Sequence, residues 1–233
     1  MAQQLEPATA IDQTFINEYV PRLDVQPIHE TELTAEILDE FLVNVGQYRS
    51  IGLSPTYSSG DLSLLAIANK SNVLLVKFYT EKTGRGPPSI TVRPCSAKAR
   101  QLLEENVLFL PHARIVAFDF APLALLLHKE HRIRLMNGVD IQSCCPVKDR
   151  QPFTSIKFAA GESELFPDNI NAAFSDMEHS TGQMDVALRA WVSQYIPQLA
   201  GMEDRFEKAP KINLTAFTDP VSHHRNSSKS PIT

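Results

Sequence analysis

The chain has 233 residues, enough for one domain with tails and a full hydrophobic core. Its apolar and aromatic content is ordinary for a globular protein. A net charge of −5 argues against a surface coated with positive charge for nucleic acid, though not against a local basic groove.

Cys95 and the adjacent Cys144 and Cys145 form neither a disulfide framework nor a zinc spacing, and read as reduced thiols. The N-terminus is polar and acidic, with no secretory pattern. The longest apolar run, near Leu123 to Leu127, is too short to span a membrane. These features predict an intracellular protein, cytoplasmic or nuclear, with no membrane contact.

Residues 1–33 mix Gln, Pro, Asp and Glu with scattered apolar residues, and predict a loose N-terminal arm with a short helix near Ile11 to Tyr19. Thr34 is placed to cap a helix from Ala35 to Val45, where Ile37, Leu38, Phe41, Leu42 and Val45 recur at helical spacing. Three strands are expected near 48–54, 61–68 and 72–79, then a Gly/Pro-rich loop from Thr80 to Pro94. Next come a helix from Ser96 to Asn106, a short buried strand from Arg114 to Ala117, and a helix from Pro122 to Lys129 opened by its proline. Gly138 to Gln142 reads as a strand or a strand-to-helix turn, and 150–175 is weakly patterned. A last helix runs from Asp185 to Ile196 through Val186, Leu188, Ala190, Trp191 and Tyr195. From 201 to 233 the chain is polar and basic and reads as a disordered tail. Strands first, then alternating strand and helix, predict a mixed α/β sheet flanked by helices over 34–200.

Four places along this pattern carry chemistry-bearing positions. The first is Ile51-Gly52-Leu53-Ser54-Pro55-Thr56, an apolar strand ending in alternating small polar residues. The second is the run Arg114 to Leu126: a basic residue, an apolar strand, a turn and a Leu-rich helix. The third is Val139-Asp140-Ile141-Gln142, and the fourth is Thr181-Gly182-Gln183-Met184-Asp185-Val186 before an apolar helix. Together, over roughly residues 35–198, they resemble the ribonuclease-D-like (DEDD) 3′–5′ exonuclease domain. The resemblance implies a ribonuclease H-like fold. It also implies a two-metal site at four positions, and there the chain departs from the family. The family's Asp and Glu fall on Ser54 and Thr56. Its second-motif Asp falls on Pro122. The Tyr that orients the attacking water falls on Thr181, and the Asp four residues later survives as Asp185.

Two divalent ions about 4 Å apart repel by ~17 kcal/mol at an effective dielectric of 20, and carboxylates must offset that. Magnesium prefers charged oxygen ligands. Two neutral hydroxyls, a proline and one Asp do not supply them. The expectation is therefore no bound metal, no cofactor and no hydrolysis.

Other candidates have blander readings beside the sharp ones. Asp185 is a relic ligand or, the favoured reading, a first-turn helix carboxylate. Asp119 is a ligand from a shifted register or a solvated turn residue, the latter favoured. Asp140 reads as a turn or cap residue. Ser54 and Thr56 have no neighbouring His to act as base and read as fillers of an abandoned site. His112, His128 and His131 read as surface histidines rather than metal ligands. Lys77, Lys82, Arg85, Arg93, Lys98 and Arg100 form the densest basic region, either a track for an RNA backbone or a solvated face.

Degenerate members of the family are adaptors in RNA transport and small-RNA pathways. The resemblance therefore implies a catalytically inactive domain acting as an adaptor in an RNA-handling complex, binding RNA, protein partners or both. A protein-interaction scaffold without RNA contact is the second reading, and an active exonuclease with displaced ligands the third. Homodimerisation is compatible with the family.

Overall fold

The computed structural model describes residues 9–15, 18–43, 50–58, 60–78, 94–161, 172–174 and 182–215. In chain order these form β1 (Thr9–Phe15), β2 (Glu18–His29), α1 (Ala35–Val43), β3 (Ser50–Ser58), β4 (Asp61–Ala68), β5 (Asn72–Lys77), α2 (Pro94–Leu103), β6 (Arg114–Ala117), α3 (Phe120–His131), β7 (Leu135–Asp140), α4 (Ile141–Cys144), α5 (Pro152–Ala160), α6 (Gln183–Tyr195), α7 (Glu203–Lys208) and β8 (Ile212–Leu214). The strands make one eight-stranded sheet in the order β1-β2-β5-β4-β3-β6-β7-β8. At its centre β5, β4 and β3 are antiparallel, while β6 and β7 continue parallel to β3. This is a mixed α/β sheet flanked by helices, as the sequence predicts.

The strand pattern explains the layering. In β5, Val73 and Leu75 enter one core while Leu74 and Val76 enter the other, so the strand is apolar on both faces and reads as a continuous run. One core lies under α1, α2 and α3 and contains Leu38, Phe41, Leu103, Leu123 and Leu127. The other lies under α4 to α7 and contains Ile156, Val186, Trp191 and Phe206. Each fully buried Leu, Ile or Phe contributes about 2 kcal/mol of transfer free energy. Asn69 ties the layers together. Its Nδ2 donates to Phe41 O at 2.6 Å, and its Oδ1 accepts from Ser71 N at 2.9 Å and Asn72 N at 2.7 Å, which shapes the β4–β5 turn.

Two expectations are corrected. The segment read as a loose arm with a helix near Ile11 to Tyr19 forms β1 and β2 instead, and β2 pairs parallel with β5 from Asp24↔Asn72 to His29↔Lys77. Prolines disguised this strand. Pro27, which has no N–H to donate, lies beyond Val25, where the pairing with β1 ends among the described residues. The sequence predicts a disordered tail after 200. Residues 203–214 instead form α7 and β8, because Met202 and Phe206 recur at helical spacing and are buried, and Ile212 pairs with Gly138. Residues 216–233, and the expected loop at 79–93, lie outside the described residues.

The remaining elements match within a few residues. The 150–175 stretch contains α5, opened by Pro152 at its first position. The expected Ser96–Asn106 helix begins at Pro94 and passes after Leu103 into a π-helical turn, Glu104–Leu108. Thr34 caps α1, its Oγ1 accepting from Ile37 N at 3.4 Å.

The contact that positions the candidate site is between α6 and β3. A Cβ built on Gly52 would stand 1.9 Å from Ala190 O and 2.6 Å from Gln194 N. The helix backbone rests where a side chain would be. Gly52→Ala is therefore expected to cost about 3 kcal/mol. The urea midpoint should fall with an unchanged slope; an unchanged midpoint would refute this packing.

Candidate functional site

Cross-strand pairing fixes which way the β3 positions face. Gly52, Ser54 and Thr56 stand opposite Ala68, Ala66 and Leu64. Opposed residues share a face. Those three partners pack in the core beneath α6, so Ser54 and Thr56 point to that side, and Leu53, with Ile67 opposite, points to the other. Ser54 is 3% exposed. The Thr56 hydroxyl is buried and has no hydrogen-bond partner among the described residues.

Asp185 lies in the first turn of α6, half-buried, with its carboxylate folded back over the helix start. A Cβ on Gly182 would meet Asp185 Oδ2 at 3.0 Å. The carboxylate complements the helix dipole there, as the favoured reading has it. One turn on, Arg189 is 2% exposed. Its Nη1 donates to Ala173 O at 3.4 Å. Burial holds its pKa below the usual guanidinium range, and the Asp185 charge acts in the opposite direction. Phe118, at the end of β6, and Phe174 close the same core edge-to-face, with ring centroids 5.2 Å apart.

The structure brings together Ser54 and Thr56 on the β3 face that α6 covers. Pro122 is exposed in the first turn of α3, whose apolar side packs on the opposite core. Thr181, Lys82, Arg85 and Arg93 lie outside the described residues. Lys98 is exposed and Lys77 half-buried. Arg100, grouped with this basic region in the sequence, is directed inward. It is 8% exposed, and its Nε and Nη2 donate to Glu30 at 2.7 and 3.0 Å. That bidentate pair joins α2 to the end of β2 and offers no charge to solvent.

Asp140 is the cap its position suggests. Its carboxylate accepts from Gln142 N at 2.9 Å and from Phe120 N, and so holds the starts of both α4 and α3. Burial raises its pKa. Gln142 in turn accepts from Asp119 N at 2.7 Å. Asp119 is an exposed turn residue with φ of 48°. Cys144 and Cys145 are buried free thiols, and burial pushes Cys144 up to about 11. Among the described residues, no cluster of His, Cys, Asp and Glu has the arrangement of a metal site.

One histidine departs from expectation. His112 is exposed and His128 half-buried, but His131 is 5% exposed and packs against Phe78, with centroids 4.4 Å apart and the rings tilted by 36°. Neither of its ring nitrogens finds a partner among the described residues. Sequence reasoning also missed Arg189. Its one signal is a lone cation four residues after Asp185 within the otherwise apolar run from Val186 to Val192.

No family model matches the sequence, and no curated protein matches it. The chain is similar to a solved structure of Trypanosoma brucei RNase D in complex with RNA, at 16% identity over 84% of this chain and 75% of that one, with a TM-score of 0.45. It is also similar to the Nibbler EXO domain of Aedes aegypti, at 13% identity over 82% of this chain and 92% of that one, with a TM-score of 0.46.

His131 makes a pH dependence. Burial, then the Arg100 charge, lowers its pKa from 6.5 to about 3. Between those values the unfolded chain holds a proton that the folded chain does not, so stability falls as pH drops below 6.5 and stops falling near 3. The loss is on the order of 4 kcal/mol. His131→Leu should flatten this limb of the stability–pH curve in urea titrations; an equally steep limb in that variant would refute the assignment.

Proposed function

We propose that the chain is an exonuclease-like domain that does not hydrolyse RNA and serves as an adaptor in a cytoplasmic or nuclear RNA-handling complex. The observation that carries this reading is the charge of the face beneath α6. Where a two-metal site needs converging carboxylates, β3 presents the Ser54 and Thr56 hydroxyls, and Asp185 is accompanied by the buried Arg189 guanidinium. Neutral hydroxyls are weak ligands for a hard cation. A fixed positive charge beside the one carboxylate adds to the repulsion that metal ions would meet. Among the described residues, those on this face do not fit a pair of divalent ions, and no hydrolytic step is assigned to them.

A second reading keeps the protein as a scaffold without RNA contact. The acidic total charge and the inward turn of Arg100 favour it. Lys77, Lys82, Arg85, Arg93 and Lys98 remain the candidates for an RNA backbone. If they bind RNA, affinity should fall steeply with salt, and charge reversal at Arg85 and Arg93 should lower both affinity and salt slope.

The decisive assay uses end-labelled RNA with manganese or magnesium. The expected result is no 3′ shortening, in the intact chain and in Asp185→Ala alike. Processive 3′ degradation that disappears in Asp185→Ala would overturn the proposal.

A further inference from the structure

A cleft opens at the amino end of β6, away from Ser54 and Thr56, which sit toward the carboxyl end of its parallel neighbour β3. The cleft holds about 270 Å³, and its walls include Pro111, His112, Arg114, Asn137, Glu207 and Lys211. Strand pairing brings these residues together. Gly138 of β7 stands opposite Ile115 of β6 on one side and Ile212 of β8 on the other. Arg114, Asn137 and Lys211 are each the residue just before one of those three, and they meet at the cleft. Asn137 is held from two directions. Its N–H donates to Asn213 Oδ1 at 2.8 Å, and its Nδ2 donates to Pro111 O at 2.9 Å.

Phe206 of α7, itself fully buried, fixes both cations of the cleft. The Arg114 guanidinium stands over its ring, 5.8 Å from the centroid. Lys211 Nζ donates to its carbonyl at 2.5 Å. The ring contact uses none of the five guanidinium N–H donors, and no hydrogen bond or ion pair takes them up among the described residues. Arg114 is half-buried, where open donors are costly. Lys211 keeps two N–H donors beyond the one given to Phe206. Glu207 lines the same cleft, yet neither cation is in an ion pair among the described residues. The two positive charges also act on each other: burial first, then Arg114, lowers the Lys211 pKa. His112 is exposed and adds an imidazole N–H to the lining. Donors therefore outnumber acceptors, and they are already held in place before any ligand arrives.

From this geometry we infer that the cleft binds a phosphate group. Arg114 offers a planar fork to two of its oxygens, and Lys211 and His112 offer donors to the others. Three donor groups from separate segments suit an anion with more than two oxygens better than a carboxylate. Pockets for whole small molecules begin at about 300 Å³, so this cleft suits one phosphate rather than an entire nucleotide. A free phosphate ion and a phosphate of an RNA strand share this chemistry, and the experiment separates them. The inference goes beyond the adaptor reading and does not depend on it, because Ser54, Thr56 and Asp185 take no part.

The test uses the full chain and follows the backbone and side-chain amide signals of Asn137 by nuclear magnetic resonance at fixed pH. Inorganic phosphate should shift these signals saturably, and sodium chloride at equal ionic strength should not. Arg114→Gln and Lys211→Gln should each weaken binding by about tenfold. Glu207→Gln should tighten it by about twofold or more, a gain that a merely structural carboxylate would not give. Lys211 and Glu207 are exposed, so their variants carry the test if Arg114→Gln does not fold. A uridine oligonucleotide is the second probe. If it shifts the same signals at lower concentration than phosphate does, the group belongs to an RNA strand. If it needs more, or leaves them unchanged, the ligand is a free phosphate. The inference is overturned if neither probe gives a saturable shift, if chloride gives the same shift, or if Lys211→Gln binds as tightly as the parent chain. None of these outcomes bears on the nuclease assay, so the two proposals fail separately.

Discussion

The close seating of α6 on β3 is the constraint on which the other features rest. Small residues make it possible on both sides: Gly52, Ser54, Ala66 and Ala68 on the sheet, Ala187 and Ala190 on the helix. With so little between the backbones, the space over β3 is settled by what the helix carries. Trp191 fills one flank, its indole N–H donating to Lys70 O at 3.3 Å. Arg189 fills another by reaching the Ala173 carbonyl. The buried charge of Arg189 is tolerable because it is hydrogen-bonded and has Asp185 one turn away. A face that has to hold a guanidinium is ill suited to gathering dications. Ser54 and Thr56 on the sheet are neutral, and no converging cluster of metal-binding side chains stands near Arg189 among the described residues.

The carboxyl ends of β6 and β7 are organised separately, through Asp140. One side chain caps two helices on opposite faces of the sheet, and Gln142 extends the network to the Asp119 turn and the Arg150 carbonyl. That arrangement gives the Asp-Ile-Gln sequence a structural role. It holds α3 in place.

Much of this was legible in the chain. The central strands announced themselves through uninterrupted apolar runs such as Val73 to Val76. The helices declared themselves through periodicity and caps such as Thr34. The outer strands were hidden: β2 carries Pro21, at the register shift with β1, and Pro27, beyond the described β1 pairing, and β8 is three residues in a polar stretch. The candidate site was half legible. Residue identity showed that Ser54, Thr56 and Pro122 bring no charge. It did not show that Arg189 turns inward or that Arg100 spends its charge on Glu30, because a side chain's direction follows from tertiary packing. His131 was misjudged for the same reason. A polar letter in a helix ending in His, Lys, Glu and His looks solvated until Phe78 closes over it.

The π-helical turn from Glu104 to Leu108 has a lasting consequence for the lineage of this chain. An extra residue in a helix advances everything after it by about 100° around the axis. Here that rotation is cemented in place. Glu104, where the wide turn opens, accepts from Arg134 N at 2.6 Å and from Arg134 Nε at 2.7 Å. Excising one residue would restore regular winding and break the alignment of Val107 and Leu108 with the core they fill. Homologues should therefore keep the length of this segment even where they change its letters, and an insertion or deletion there should be rarer than a substitution.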